Sequence, residues 1–149
     1  MDEWTDDQAE PPATPGYSPN RLNRKLGLKP GYRIVVVNPP DRYWDLVHPL
    51  PEGVAVAGPR AKRLDFVHVF VERRAELLRA LPKLISRIKP EAMIWVSWPK
   101  RASGVATDVT ENVIREIALP LGLVDVKVCA VDETWSGLKL VLRVEHRPS

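Results

Sequence analysis

Met93-Ile-Trp-Val-Ser-Trp-Pro-Lys-Arg-Ala-Ser-Gly-Val-Ala-Thr-Asp-Val-Thr-Glu-Asn112 is the stretch whose reading decides the fold. Its first part is apolar, aromatic and β-branched, the composition of a strand buried on both faces, and Pro99 ends it abruptly. A polar loop with Lys100, Arg101, Ser103 and Gly104 follows, then a helix that starts near Asp108. Open α/β sheets place ligands at this succession of strand, polar loop and helix start, because strand ends and helix N-terminal amides converge there.

Upstream, Ser18, Pro19 and Gly27 read as N-cap, first-turn proline and C-cap of a short helix whose Leu22 and Leu26 face inward. The β-branched run at 33–38 is the expected central strand. A short helix over 42–47, a strand over 54–57, the basic loop with Arg60, Lys62 and Arg63, and an internal strand over 64–71 come next. The leucine and isoleucine spacing predicts a helix over 72–88 with a kink at Pro82, followed by the strand at 92–98. A helix over 109–119, with Asp108 and Glu111 at capping-box spacing, precedes two strands at 124–131 and 138–144. Asp132-Glu-Thr-Trp-Ser-Gly137 joins those two as a hairpin. The expected architecture is a three-layer α/β domain: a mostly parallel sheet of five or six strands with a C-terminal antiparallel hairpin.

A chain of 149 residues suits one such domain, expected over 18–149. Residues 1–17 are acidic and proline-rich without an apolar period and are expected to form a disordered tail. The single cysteine, Cys129, fits a reducing compartment, and neither a membrane-length apolar run nor a secretory leader is visible, so the expected location is the cytoplasm. Net charge is +3, but the first 18 residues hold Asp2, Glu3, Asp6, Asp7 and Glu10 and no Lys or Arg, which leaves +8 on the rest. A body that basic attracts anions. It carries no nucleic-acid-binding motif, so a nucleic-acid-associated protein is the third reading of function.

If the sheet is wound as in the class I S-adenosylmethionine-dependent methyltransferases that this element order resembles, the connectors after 38, 71, 98 and 131 share one rim, the last strand lies beside the one ending at Trp98, and Trp135 stands near Lys100. The expected ligand-binding set is therefore Asn38, Trp98, Lys100, Arg101, Ser103, Gly104, Thr107, Asp108, Trp135 and Ser136. It offers cations, hydroxyls and an aromatic plate to a small anionic or planar ligand, or to a protein partner. His48, His68 and His146 lack ligand spacing, and His68 alternates with Phe66 and Phe70 as a core residue would, so no metal is expected. No residue set identifies a catalytic motif.

Leu28-Lys-Pro-Gly-Tyr-Arg-Ile-Val-Val-Val37, Leu84-Ile-Ser-Arg-Ile-Lys-Pro-Glu-Ala-Met-Ile-Trp-Val-Ser97 and the antiparallel ending resemble the second half of a class I S-adenosylmethionine-dependent methyltransferase, over residues 20–145. At finer grain, residues 97–112 and 127–139 resemble a bacterial family of small domains of unknown function. The methyltransferase resemblance implies a Gly-rich cofactor turn after the first strand and an acid closing the second. Here those places hold Asn38-Pro39-Pro40 and Val54-Ala-Val-Ala-Gly-Pro-Arg60. The expected function is thus a non-catalytic, methyltransferase-like binding domain. A S-adenosylmethionine-dependent methyltransferase with an atypical cofactor turn is the alternative.

Overall fold

The two longest apolar runs form the middle of a six-stranded sheet in the computed structural model, which describes residues 21–146. The expected tail over 1–17 and the helix start at Ser18 lie outside the described residues. The strands are β1 (Arg33–Val37), β2 (Ala55–Val56), β3 (Leu64–Phe70), β4 (Ile88–Pro99), β5 (Leu123–Ala130) and β6 (Trp135–Leu142), in the spatial order β2-β1-β3-β4-β6-β5. The first four are mutually parallel. β6 runs antiparallel to both β4 and β5, which closes the sheet with the expected hairpin.

One expectation needs correcting. β1 is second from the edge, and β3 and β4 hold the centre. The outer neighbour of β1 is only two residues long, so Val36 and Val37 remain half-buried, whereas β3 is buried without a break from Phe66 to Phe70.

Side-chain alternation along the strands divides the core in two. On one face Ile34, Phe66, Phe70, Met93 and Trp95 pack against Leu22 and Leu26 of α1 (Arg21–Leu26) and Tyr43 and Val47 of α2 (Tyr43–Val47). On the other, Val35, Val67, Val69, Ile94 and Val96 pack against Leu77, Leu81 and Leu84 of α3 (Arg74–Ile85) and Ile114 and Ile117 of α4 (Glu111–Ala118). These are the three expected layers.

The element ends differ in instructive ways. α3 stops at Ile85 rather than 88 because Ile88 already pairs with Leu64 in the sheet. Pro82 does not interrupt it: the helix runs on to Ile85, with the proline on the exposed side. α4 begins at Glu111, and its N-cap is Thr110, whose Oγ1 accepts from the Val113 amide at 3.2 Å. Asp108 is not its cap; that carboxylate is engaged elsewhere. Among the described residues no helix is long and apolar enough to cross a membrane.

Candidate functional site

Three connectors meet on the carboxyl rim of the sheet and are tied to one another. The Lys100 amide donates to the Thr134 carbonyl at 2.8 Å, Thr107 Oγ1 donates to the Glu72 carbonyl at 2.6 Å, and Asp108 Oδ1 accepts from the Arg74 amide at 2.7 Å. Pro99 pairs with Trp135 and Trp98 with Ser136 across β4 and β6, so Lys100 and Trp135 are neighbours.

The polar atoms of this rim are largely spent on the rim itself. Ser103 Oγ donates to the Lys100 carbonyl at 2.6 Å and accepts from the Val105 amide at 3.2 Å. Thr107 Oγ1 also accepts from the Val109 amide at 3.0 Å. Asp132 Oδ1 accepts from the Thr134 and Trp135 amides, the hydrogen bonding of an Asx turn. Asp108 caps α3 across a gap of 34 residues in sequence. Replacing Asp108 by alanine is expected to cost about 1 kcal/mol in urea unfolding, with Asp108→Asn recovering most of it.

Nor do all ten expected residues share one cavity. Trp98, Arg101, Gly104 and Thr107 line a cleft of about 360 Å³ on the α3–α4 side. The Trp135 ring turns to the opposite face, where it meets Phe70 edge-on with centroids 5.1 Å apart. Asn38, exposed and left-handed at φ 54°, lines a different cleft altogether.

That second cleft, about 640 Å³, runs along α3 on the side facing β1 and β2. Its floor is apolar: Val35, Val37, Ala57, Ala80 and Leu84. Its helical wall presents Arg79 and Lys83, four residues apart and therefore on one face of α3, and Arg87 follows in the turn after the helix. None of the three was singled out from the sequence, although their spacing within a predicted helix was the signal. Arg87 donates from Nε to the Ala61 carbonyl at 2.7 Å and from a terminal nitrogen to the Gly58 carbonyl at 3.1 Å. Those bonds clip the 57–63 loop to the end of α3. Glu76 supplies the one carboxylate of the lining. Its Oε1 accepts from the Glu72 and Arg73 amides at 2.8 and 2.9 Å, and these bonds hold it below the ordinary carboxylate range.

Below the rim lies a sealed polar chain. Tyr43, His68 and Ser97 are fully buried, with Tyr43 Oη 3.0 Å from His68 Nδ1 and His68 Nε2 2.8 Å from Ser97 Oγ. The tautomer protonated at Nε2 lets Tyr43 donate to Nδ1 and the ring donate to Ser97, which leaves neither proton orphaned. Burial pushes the His68 pKa down to about 3 and raises that of Tyr43. His68 stacks on Phe70 at 4.3 Å and is a core histidine with both nitrogens partnered. Burial likewise raises the Cys129 thiol, against activation as a nucleophile. Among the described residues no three His, Cys, Asp or Glu side chains are grouped as metal ligands.

With six strands in this order, the chain superimposes on solved α/β enzymes. The fold is that of the methyltransferase-like Rossmann class. It is similar to a SAM-dependent methyltransferase from Aquifex aeolicus, with a TM-score of 0.61 and 16% identity, over 85% of this chain and 90% of that one. It is also similar to a possible exported protein from Bordetella parapertussis, with a TM-score of 0.57 and 11% identity, over 86% of this chain and 66% of the other. Magnesium protoporphyrin IX methyltransferase from Synechocystis PCC 6803, solved with SAM bound, matches with a TM-score of 0.52 and 10% identity, over 82% of this chain and 74% of that one. The likeness to the Aquifex protein spans nearly that whole chain, not the second half expected from the sequence. No protein-family model and no curated protein sequence matches this chain.

The residues at the switch point between β1 and β3 do not fit S-adenosylmethionine. Pro39 and Pro40 supply no amide hydrogens to the turn after β1. β2 runs out into Ala57-Gly58-Pro59, without a carboxylate for a ribose.

Proposed function

We propose that this chain is a methyltransferase-fold domain that works by binding an anionic partner in the cleft between α3 and the β1–β2 side of the sheet, in the reducing cytosol, rather than by methyl transfer. The observation that carries this reading is the cleft's composition: an apolar floor, three cations, and one carboxylate already committed. Such a surface attracts an acidic segment with apolar anchors, since the cations supply long-range attraction and the floor a place to desolvate. The carboxyl-rim set around Lys100, Arg101, Ser103, Gly104 and Thr107 is the secondary part of the surface, because its hydroxyls serve its own backbone.

A second reading, a S-adenosylmethionine-dependent methyltransferase with an atypical cofactor turn, draws on the fold comparison: the Aquifex enzyme is matched over 90% of its length. Thermal unfolding separates the two. Hexaglutamate is expected to raise Tm at low salt, and the double substitution Arg79→Glu, Lys83→Glu to remove the effect. S-adenosylmethionine and S-adenosylhomocysteine are expected to leave Tm within about 1 °C. A rise of several degrees with either, following RT ln(1 + [L]/Kd), would favour the enzyme instead.

A further inference from the structure

The α3 groove exists because the fold is abbreviated on that side. β2 and β3 are joined by residues 57–63 alone, with no helix between them, and β2 is left as a two-residue edge with Val56 53% exposed. Val37, half-buried beside the buried Val35, therefore reaches the floor of the groove. One wall carries Arg79 and Lys83 of α3, with Arg87 just beyond its end; the other is formed by Ala57, Gly58 and Pro59, while Lys62 and Arg63 line a separate cleft with Asp65 and Lys89. The remaining anion facing this space is Glu76, at the end nearest Asn38.

The same chain contains a segment of opposite character. Residues 2–7 read Asp-Glu-Trp-Thr-Asp-Asp, an indole flanked by two carboxylates on each side, and no Lys or Arg occurs in the first 18 residues. We propose that this segment is the groove's occupant: Trp4 lies on the apolar floor and Asp2, Glu3, Asp6 and Asp7 face Arg79, Lys83 and Arg87. The proposal deepens the anion-binding reading above and rests on it.

Charge and reach both support a docking in cis. Removing the five tail carboxylates from the count leaves +8 on the body, so the attraction is between two parts of strongly unequal sign. Asp7 is 14 residues from Arg21, where the described chain begins, and Pro11, Pro12, Pro15 and Pro19 lie between them. Proline-rich chain extends by about 3.1 Å per residue, so the connection can span roughly 43 Å. A domain of this size has a diameter on the order of 36 Å. Tethering also sets an effective concentration of about millimolar, enough for contacts that would be weak between separate molecules. A docked tail competes with any external anion for the same cations.

Zero-length carbodiimide coupling of the full-length protein tests the placement, because Lys83 is the amine among the groove's cations. Mass spectrometry of the monomeric product is expected to find Lys83 joined to Asp2, Glu3, Asp6 or Asp7, with a yield that falls several-fold in 0.5 M salt. Tail carboxylates joined to other lysines but not to Lys83, or Lys83 coupled only in a dimeric product, would overturn the docking in cis. A second measurement separates this proposal from the reading beneath it. The full-length variant with Asp2→Asn, Glu3→Gln, Asp6→Asn, Asp7→Asn and Glu10→Gln is expected to bind labelled hexaglutamate at least tenfold more tightly than the unaltered chain. Equal binding by both, weakened in each by Arg79→Glu and Lys83→Glu, would leave the anion site standing and remove the tail from it. No binding by either would remove both.

Discussion

Replacing Trp95 by alanine is expected to lower the unfolding free energy by about 3–5 kcal/mol, measured by urea or thermal denaturation. The ring is fully buried between α1 and the sheet, and its neighbours have no room to collapse inward cheaply. Gly137, on the adjacent strand, leaves the space that the ring fills: a Cβ built there would lie 3.2 Å from Trp95 Cε3 and 3.3 Å from Ser97 Oγ. The indole also has a polar task. Its Nε1–H donates to the Leu26 carbonyl at 2.9 Å, satisfying one of the acceptors that the end of α1 leaves without an intrahelical partner. Trp95→Phe keeps most of the volume and loses the donor, so its cost is expected to be smaller, about 1–2 kcal/mol. A Trp95→Ala protein within about 1 kcal/mol of the original would mean that α1 is not held to the sheet as described.

The second large effect is a pH dependence traced to one buried ring. Because burial holds the folded His68 pKa near 3, against 6.5 for an exposed imidazole, the unfolded chain takes up this proton first as the solution is acidified. Stability from this source is therefore complete above pH 6.5 and is lost progressively as pH falls from there towards 3. Between pH 6.5 and 4.5 the loss is expected to be about 2 kcal/mol. Glu76 and Asp125, whose carboxyls lie below their ordinary range through backbone bonds from Glu72 and Arg73 and the side-chain bond from Arg115, lose their contributions at lower pH than this window. His68→Gln replaces the titrating group by an amide of similar reach, and the slope between pH 6.5 and 4.5 should largely vanish. An unchanged slope in that variant would place the proton uptake elsewhere.

These two residues matter to the candidate site through the elements they hold. His68 links Tyr43, the first residue of α2, to Ser97 in the last turn-ward part of β4. It thereby fixes the chain just after the Asn38-Pro39-Pro40 turn against the strand that feeds the Lys100–Thr107 loop. The aromatic packing of Tyr43, His68, Phe70 and Trp135 fills the core beneath that rim. The open space is displaced sideways, to the groove along α3.

Much of this was legible in the sequence because it depends on short-range pattern. The β-branched runs at 33–38 and 64–71, the leucine spacing of α3 and the antiparallel ending named the elements, their order and the α/β class, since side-chain period and turn residues are local properties. The nearness of Lys100 and Trp135 followed from the winding that the methyltransferase resemblance implies, and the β4–β6 pairing bears it out. Three things needed the folded chain. β1 could not be ranked against β3 by composition, because centrality depends on the length of the neighbouring strand, and β2 is only Ala55–Val56. The roles of Ser103, Thr107 and Asp108 could not be read from residue type, because a hydroxyl or carboxylate is free for a ligand only when no backbone group claims it, and Arg74 is 34 residues from Asp108. The cleft itself arises where a covering element is missing. Arg79, Lys83 and Arg87 border a cleft only because the 57–63 loop carries no helix over that side of the sheet, and a gap between distant segments is a property of three-dimensional packing that no local pattern encodes.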